Sequence, residues 1–197
     1  MKVTLQMGPS FARAADELGS MGRSLLDAAS EGLGEAVKLA ANKVSSDYIS
    51  GQSLKVRTGS LRRAVDGWLE SDFEGVVGVA EGSAVSKYAW LLGDEEKTIT
   101  PKKGKFLTIP VGENLTGAGV ARFISPRQVP DGFFVKTKGR LLFGYKRGKR
   151  GKFRPLFVLV KSVFVQGSGA LADGVLDSLD GMAGAIEDSI ARKIGTN

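Results

Sequence analysis

Hydrophobic residues recur every three or four positions near both ends of the chain, which is the spacing of one face of an α-helix. Near the N-terminus this predicts helix from about Pro9 to Ser50, in two pieces because glycines at 19–22 weaken it, with Gly51 as its C-terminal cap. A second apolar stripe predicts a terminal helix of about six turns with a buried face. Its residues are Leu171, Val175, Leu179, Met182, Ile186, Ile190 and Ile194.

Between these helices the pattern changes to short runs of β-branched and aromatic residues, which are typical of strands. The predicted strands are residues 68–71, 75–80, 106–110, 133–136, 140–145 and 155–160. The first two form a hairpin with Val77 and Val79 on one face, and the strands at 133–136 and 140–145 pair around a turn at 138–139. A short helix is also expected, capped by Thr58 or Ser60.

The order of these elements predicts the fold class. Helices at both ends with strands between them favour an α+β fold, in which a long N-terminal helix and a C-terminal amphipathic helix pack on a central antiparallel sheet. The length predicts a single domain over residues 1–197. Residues 112–132 are rich in glycine and proline, so residues 112–152 are expected to protrude as a basic loop or hairpin arm.

Composition removes several classes of chemistry. The chain has neither Cys nor His, which excludes disulfides, the usual zinc sites and catalysis by Ser-His or Cys-His pairs. The longest apolar run, residues 156–160, is far shorter than a membrane-spanning helix, and the N-terminal residues do not resemble a signal peptide. We therefore expect a non-enzymatic protein of a cytoplasm-like compartment, with no cofactor, no metal and no membrane contact.

Charge is divided unevenly along the chain, whose net charge is +7. Residues 97–152 contain 14 Lys and Arg against only Glu113 and Asp131, a net of +12, whereas the rest has 14 basic and 19 acidic residues, a net of -5. A basic middle predicts a surface that meets an anionic partner. Nucleic acid and the acidic ends of neighbouring copies both fit, and both alternatives stay open.

The most concentrated part of this charge lies at residues 146–152, which we call the basic tip. Five of its seven residues are charged and cannot be buried without partners, so they must face water, an anionic ligand or another subunit. The predicted DNA- or subunit-contacting residues are Lys146, Arg147, Lys149, Arg150 and Lys152. Glycines at 148 and 151 keep this backbone adaptable, and DNA is the slightly favoured partner.

Aromatic residues interleave with these cations, a combination with which nucleic-acid proteins stack bases while neutralising phosphates. They are Phe133, Phe134, Phe143, Tyr145 and Phe153. Strand residues that face a core have the same composition, and on hydrophobicity grounds we predict core positions for most of them.

Two short motifs offer catalytic hypotheses: a metal-dependent nuclease, which ranks below the non-enzymatic alternatives, and a phosphate-binding loop, which fails. Asp94, Glu95 and Glu96 precede Lys97, and Glu-x-Lys occurs in metal-dependent nucleases, but no proline-aspartate partner lies upstream and a solvated turn is favoured. A phosphate-binding loop needs Gly-Lys followed by Ser or Thr at the start of a helix. Neither Gly148-Lys149 nor Gly151-Lys152 is followed by either residue.

Several short segments, taken in order, resemble a known family. After the amphipathic N-terminal helix come Val-Arg-Thr-Gly-Ser-Leu-Arg-Arg at 56–63, Tyr88-Ala89 with Gly93, the proline-bounded strand region at 99–110, and Pro-Leu-Phe-Val-Leu at 155–159 before the terminal helix. This set, spanning roughly residues 22–194, resembles phage tail-completion and neck proteins of the minor tail protein Z type. The chain departs from the family at Ala64, where serine is common, before Gly93, where glutamate is absent, and in its longer, more basic 112–152 segment.

The resemblance implies a structural virion protein that is assembled in the host cytoplasm and has no catalytic role. Such a protein forms a homo-oligomeric ring, with six copies expected, which completes the tail and joins it to the head. Its partners would be other neck and tail-tube proteins, and the end of the packaged DNA lies nearby. We expect self-association through residues 112–152, since ordering a loop costs about 1–2 kcal/mol per residue. The alternative is a non-catalytic, sequence-independent DNA-binding protein outside a particle.

Overall fold

The computed structural model describes residues 2–6, 19–50, 59–137, 139–148 and 151–195, and they form an α+β fold as predicted. The chain divides into two compact units where one domain is predicted. The helical unit comprises residues 1–95 and 167–197, and the sheet unit comprises residues 96–166. Each unit has its own cluster of buried apolar side chains, which is why the contacts separate into two groups.

The helical unit combines a three-stranded antiparallel sheet with four helices. Its strands are β1 (Lys2–Gln6), β2 (Val65–Ser71) and β3 (Glu74–Val79), in the order β1-β3-β2. Its helices are α1 (Ser20–Lys43), which continues as a π-helical turn over Val44–Tyr48, α2 (Ser60–Ala64), α3 (Ala170–Leu176) and α4 (Leu179–Gly195), with a 3-10 helix at Ser86–Leu92. The predicted hairpin at 68–80 is confirmed as β2 and β3.

Helix α1 is the centre of this unit and packs on both the sheet and α4. Glycines allow the close approach. A Cβ atom on Gly67 of β2 would lie 2.3 Å from the carbonyl oxygen of Val37, and one on Gly32 would lie 2.7 Å from the Cα of Ile186 in α4. Leu33 and Val37 are consequently buried in one continuous core, together with the α1 alanines at 36, 40 and 41.

The helix boundaries differ from the predicted ones in part. Helix α1 begins after Gly19, which has φ 65°, and the predicted positions Pro9, Gly51 and Thr58 lie outside the described residues. The short helix α2 is preceded by Gly59 in the left-handed conformation, with no side-chain cap. The predicted cap was Thr58 or Ser60; Gly59 takes the N-cap position, and Ser60 is the first residue of the helix.

The predicted terminal helix is broken into α3 and α4 at Asp177 and Ser178. The Ser178 hydroxyl donates to the carbonyl of Gly174 at 2.6 Å, and the Ser178 carbonyl accepts from the amide of Met182 at 2.8 Å. The break changes the phase of the apolar face, so Met182 is buried but Leu179 is 45% exposed. The prediction of one unbroken helix with Leu179 in its core is wrong.

The sheet unit contains two antiparallel sheets. Strands β4 (Glu96–Ile99) and β9 (Val163–Gln166) form a pair, and β5 (Leu107–Pro110), β6 (Phe133–Thr137), β7 (Arg140–Lys146) and β8 (Phe153–Val160) form a sheet of order β5-β8-β7-β6. The predicted pairing of β6 with β7 is confirmed, with Phe134 opposite Phe143. Instead of one central sheet the described residues form three, and β1, β4 and β9 were not predicted.

The segment predicted to protrude as an arm, residues 112–152, contributes β6 and β7 to this sheet. Phe143 and Phe157 pack across neighbouring strands with ring centroids 6.2 Å apart, and Val129 and Leu156 complete the buried cluster. A Cβ on Gly132 would lie 2.2 Å from the ring of Phe143. The glycine- and proline-rich stretch therefore lies directly against the core of the unit.

Candidate functional site

The basic tip lies at the turn end of the β7–β8 hairpin, where the chain passes from one strand to the next. Lys146 is the last residue of β7, and Lys152 immediately precedes β8. Both of these lysines and Arg147 are exposed, whereas Lys149 and Arg150 lie outside the described residues. Among the residues that the structure describes, none of the three forms an ion pair. Their charge is therefore available to a partner.

Two glycines shape the turn that carries these cations. Gly148 has φ 79°, a conformation that side chains disfavour, and its carbonyl accepts a hydrogen bond from the amide of Gly151 at 3.2 Å. A Cβ on Gly151 would lie 2.1 Å from the carbonyl oxygen of Arg147. The sequence predicted these glycines to keep the backbone adaptable, and in the structure they also permit the tight closure of the turn.

Aromatic rings lie beside the cations at the base of the tip. The rings of Phe133 and Phe153 have centroids 5.4 Å apart, and the Lys146 ammonium lies 5.9 Å from the centroid of Phe133. Phe143 is buried as predicted, but Phe133 is 37% exposed and Phe134 is 57% exposed. The prediction was of core positions for most of the five aromatics, and the two on β6 are the exposed ones, because β6 is an edge strand.

One basic residue close to the tip is already neutralised. The carboxylate of Glu113 accepts hydrogen bonds from the Arg154 guanidinium and, at 3.2 Å, from the Tyr145 hydroxyl. Tyr145 and Arg154 are directly opposite each other in the β7–β8 register. The carboxylate of Glu113 therefore forms hydrogen bonds with side chains of both strands. Sequence reasoning missed this arrangement, although Glu113 is one of only two acids between Lys97 and Lys152.

The stretch at 112–132 is held by its own hydrogen bonds. The fully buried side-chain amide of Asn114 donates to the carbonyls of Phe123 and Leu156 at 3.1 and 3.3 Å and accepts from the amide of Phe123 at 2.8 Å. Ser125 and Gln128 add a reciprocal capping box. These contacts within the chain order the stretch, and self-association through residues 112–152 stays a prediction.

The acidic residues at 94–96 do not form a carboxylate cluster that could bind a metal. All three are exposed; the backbone carbonyl of Glu95 accepts from the amide of Gly167 at 2.8 Å, and Glu96 pairs with Gln166 at the start of β4. Within the described parts of the chain, no group of three metal-ligating side chains is close enough to hold an ion. Only Glu96 belongs to β4, and Asp94 and Glu95 precede the strand.

The two units carry opposite net charge. The sheet unit has 16 Lys and Arg against three acidic residues, a net of +13, and the remaining 12 basic and 18 acidic residues give the helical unit -6. On the helical unit, Glu35 accepts both hydrogen bonds from Arg192 at 3.0 Å. Hydrogen bonding to Glu35, together with the nearby charges of Glu31 and Asp188, raises the pKa of Arg192.

Comparison of the chain with protein-family models, with curated proteins and with solved structures found no match. Its candidate role therefore rests on the residues themselves. None of the helices in the described residues combines the length and apolar composition that crossing a bilayer requires. The sheet unit thus carries exposed cations beside partly exposed aromatic side chains, and the helical unit carries a net negative charge.

Proposed function

We propose that this protein is a structural component of a tailed-phage virion that completes the tail and joins it to the head at the neck as a homo-oligomeric ring. The proposal starts from the sequence resemblance to tail-completion and neck proteins. The structural observation that carries it is the division of charge, with +13 on the sheet unit and -6 on the helical unit. Two compact units of opposite charge favour contacts between different patches of identical copies.

Such contacts are head-to-tail, and head-to-tail contacts close into a ring when the rotation between copies allows it. The acidic surface available to a neighbour lies on α1 and α4, where Glu31, Glu35 and Asp188 surround the single guanidinium of Arg192. We define these three residues as the acidic helix surface. The basic tip of one copy would meet the acidic helix surface of the next, so salt should weaken the assembly.

The test is a charge swap read by native mass and electron microscopy. One variant changes the five cations of the basic tip to Glu, and the other carries Glu31→Lys and Asp188→Lys. We expect the unaltered protein to form a closed ring, each variant alone to be monomeric, and an equimolar mixture of the two to recover assembly. A ring that survives both sets of substitutions, or the absence of any closed oligomer in low salt, would contradict the proposal.

A second candidate function is sequence-independent DNA binding by the basic tip. It is favoured by the exposure of Lys146, Arg147 and Lys152 and by their lack of ion-pair partners within the described residues. For binding of this kind, a plot of the logarithm of the association constant against the logarithm of the salt concentration is linear. Its slope is about -0.9 for each phosphate that the protein neutralises on duplex DNA. A protein acting only in this way would be a monomer or dimer, so native mass separates the two functions.

Neither function requires catalysis, and we propose that the protein has none. Purified protein with Mg²⁺ should leave supercoiled plasmid DNA intact. Magnesium-dependent cleavage that disappears when Asp94, Glu95 and Glu96 are changed to Ala would overturn this proposal.

A further inference from the structure

The base of the basic tip carries an exposed phenylalanine side chain, Phe133. Assembly of copies of the chain into a closed oligomer does not require it. Phe133 keeps 37% of its surface exposed although it contacts Phe153, with ring centroids 5.4 Å apart, and Lys146, whose ammonium lies 5.9 Å from its centroid. An exposed aromatic side chain beside cations is the combination with which proteins stack bases and hold phosphates of single-stranded nucleic acid. We call Phe133, Phe153, Lys146, Arg147 and Lys152 the stacking patch.

The arrangement of the strands explains why the side chain of Phe133 is exposed. Phe133 begins β6, which is an edge strand, so among the described residues no further strand of this sheet lies beyond it. On its other side the residue directly opposite is Gly144, which has no side chain to cover the ring. The neighbouring Lys146 is opposite Phe153 in the next pair of strands, which brings the cation and the second ring to the same end of the sheet.

The chemistry of the stacking patch distinguishes among anionic partners. An acidic protein surface would use the cations but has no need of a flat ring. Duplex DNA presents phosphates to the cations while the faces of its bases are stacked inside the helix. A single strand presents both, because its backbone is anionic and its bases are free to stack on an aromatic side chain.

We propose that the stacking patch binds single-stranded nucleic acid, with a base stacked on Phe133 and the neighbouring phosphates held by Lys146, Arg147 and Lys152. This rests on the second candidate function, in which the tip binds nucleic acid in place of the acidic helix surface of a neighbouring copy. The Arg154 guanidinium takes no part, since Glu113 already neutralises it.

The experiment measures fluorescence anisotropy of three labelled probes with the full chain: a 20-nucleotide oligothymidylate, a 20-nucleotide abasic strand, and a 20-base-pair duplex. Stacking of one base on an aromatic side chain corresponds to about a 5- to 150-fold change in affinity. We expect oligothymidylate to bind more tightly than the abasic strand by a factor in this range. Phe133→Leu should remove that difference, whereas Phe133→Tyr should retain it.

The matched control is Phe164→Ala on β9, which removes a phenylalanine of the same unit that is 61% exposed and lies outside the stacking patch. It should leave all three affinities unchanged. Equal binding of oligothymidylate and the abasic strand, or a preference that survives Phe133→Leu, would overturn the stacking proposal while leaving DNA binding by the tip intact. Failure of every probe to bind at low salt would overturn both. Native mass of each variant reports ring assembly separately.

Discussion

A close backbone approach between β2 and α1 gives a sharp test of how the core of the helical unit is packed. Gly67 of β2 lies under α1 at Val37, and a Cβ added there would be 2.3 Å from the Val37 carbonyl oxygen, 2.4 Å from its carbonyl carbon and 2.9 Å from the Lys38 amide nitrogen. All three atoms are backbone, so no side chain can rotate away. The strand and the helix would have to separate by about 0.7 Å to restore a contact of 3.0 Å.

Gly67→Ala should therefore destabilise the unit. Forcing extra atoms into a packed core typically costs about 1–3 kcal/mol. In a chain of this size each kcal/mol lowers Tm by about 2–4 °C, so a cost near the middle of that range lowers Tm by about 4–8 °C. Both tryptophans, Trp68 and Trp90, lie in the helical unit, so their fluorescence during heating reports the unfolding of this unit.

Gly34→Ala is the matched control. Gly34 lies in α1, and a Cβ there would have only an ordinary contact of 3.7 Å with the Leu69 side chain. Alanine favours a helix over glycine by about 0.5–1 kcal/mol, so this variant should be slightly more stable than the unaltered protein. The reasoning would be refuted if Gly67→Ala left Tm unchanged, or if both variants lowered it equally.

Three further outcomes are expected. Met182→Ala should lower the free energy of unfolding by about 2–5 kcal/mol, because Met182 is 3% exposed. Leu179→Ala should change it by less than about 0.5 kcal/mol. Urea unfolding followed by tryptophan fluorescence measures both, and equal losses would place Leu179 in the core. Asn114→Ala should cost about 1–3 kcal/mol per polar group left unpaired and speed hydrogen exchange at the Phe123 amide, while Thr116→Ala should leave that amide protected. The hydrogen bond to Asp177 raises the pKa of Tyr48 to about 12. The stabilisation of the folded state by this hydrogen bond should therefore be present below about pH 10 and be lost as the pH rises through about 12. In a tyrosinate absorbance titration, Tyr48→Phe should remove the step at the highest pH, and persistence of that step would assign it to another tyrosine.

The sequence by itself determined most of the local structure. The periodicity at residues 26–48 predicts a helix because helical packing needs an apolar residue every three or four positions, and α1 follows that pattern. The β-branched and aromatic runs predict β2, β3, β7 and β8 for the equivalent reason in strands. The absence of Cys and His excludes whole classes of site without any coordinates.

What the sequence left undetermined depends on neighbours far along the chain. Phe134 and Phe143 lie directly opposite each other on the same face of the sheet, yet Phe143 is buried and Phe134 is exposed, because β7 lies inside the sheet and β6 at its edge. No local pattern states the order of strands.

The hydrogen bonds of Glu113 at the base of the basic tip follow the same rule. Glu113 reaches Arg154, which is 41 residues away, and Tyr145, which is 32 residues away, so the neutralised cation cannot be told from the free ones by sequence spacing. The break between α3 and α4 likewise depends on where the hydroxyl of Ser178 finds a carbonyl and where Asp177 meets Tyr48. The periodicity of apolar residues identifies the candidates for burial. Tertiary packing decides which of them are buried and which charged side chains form ion pairs.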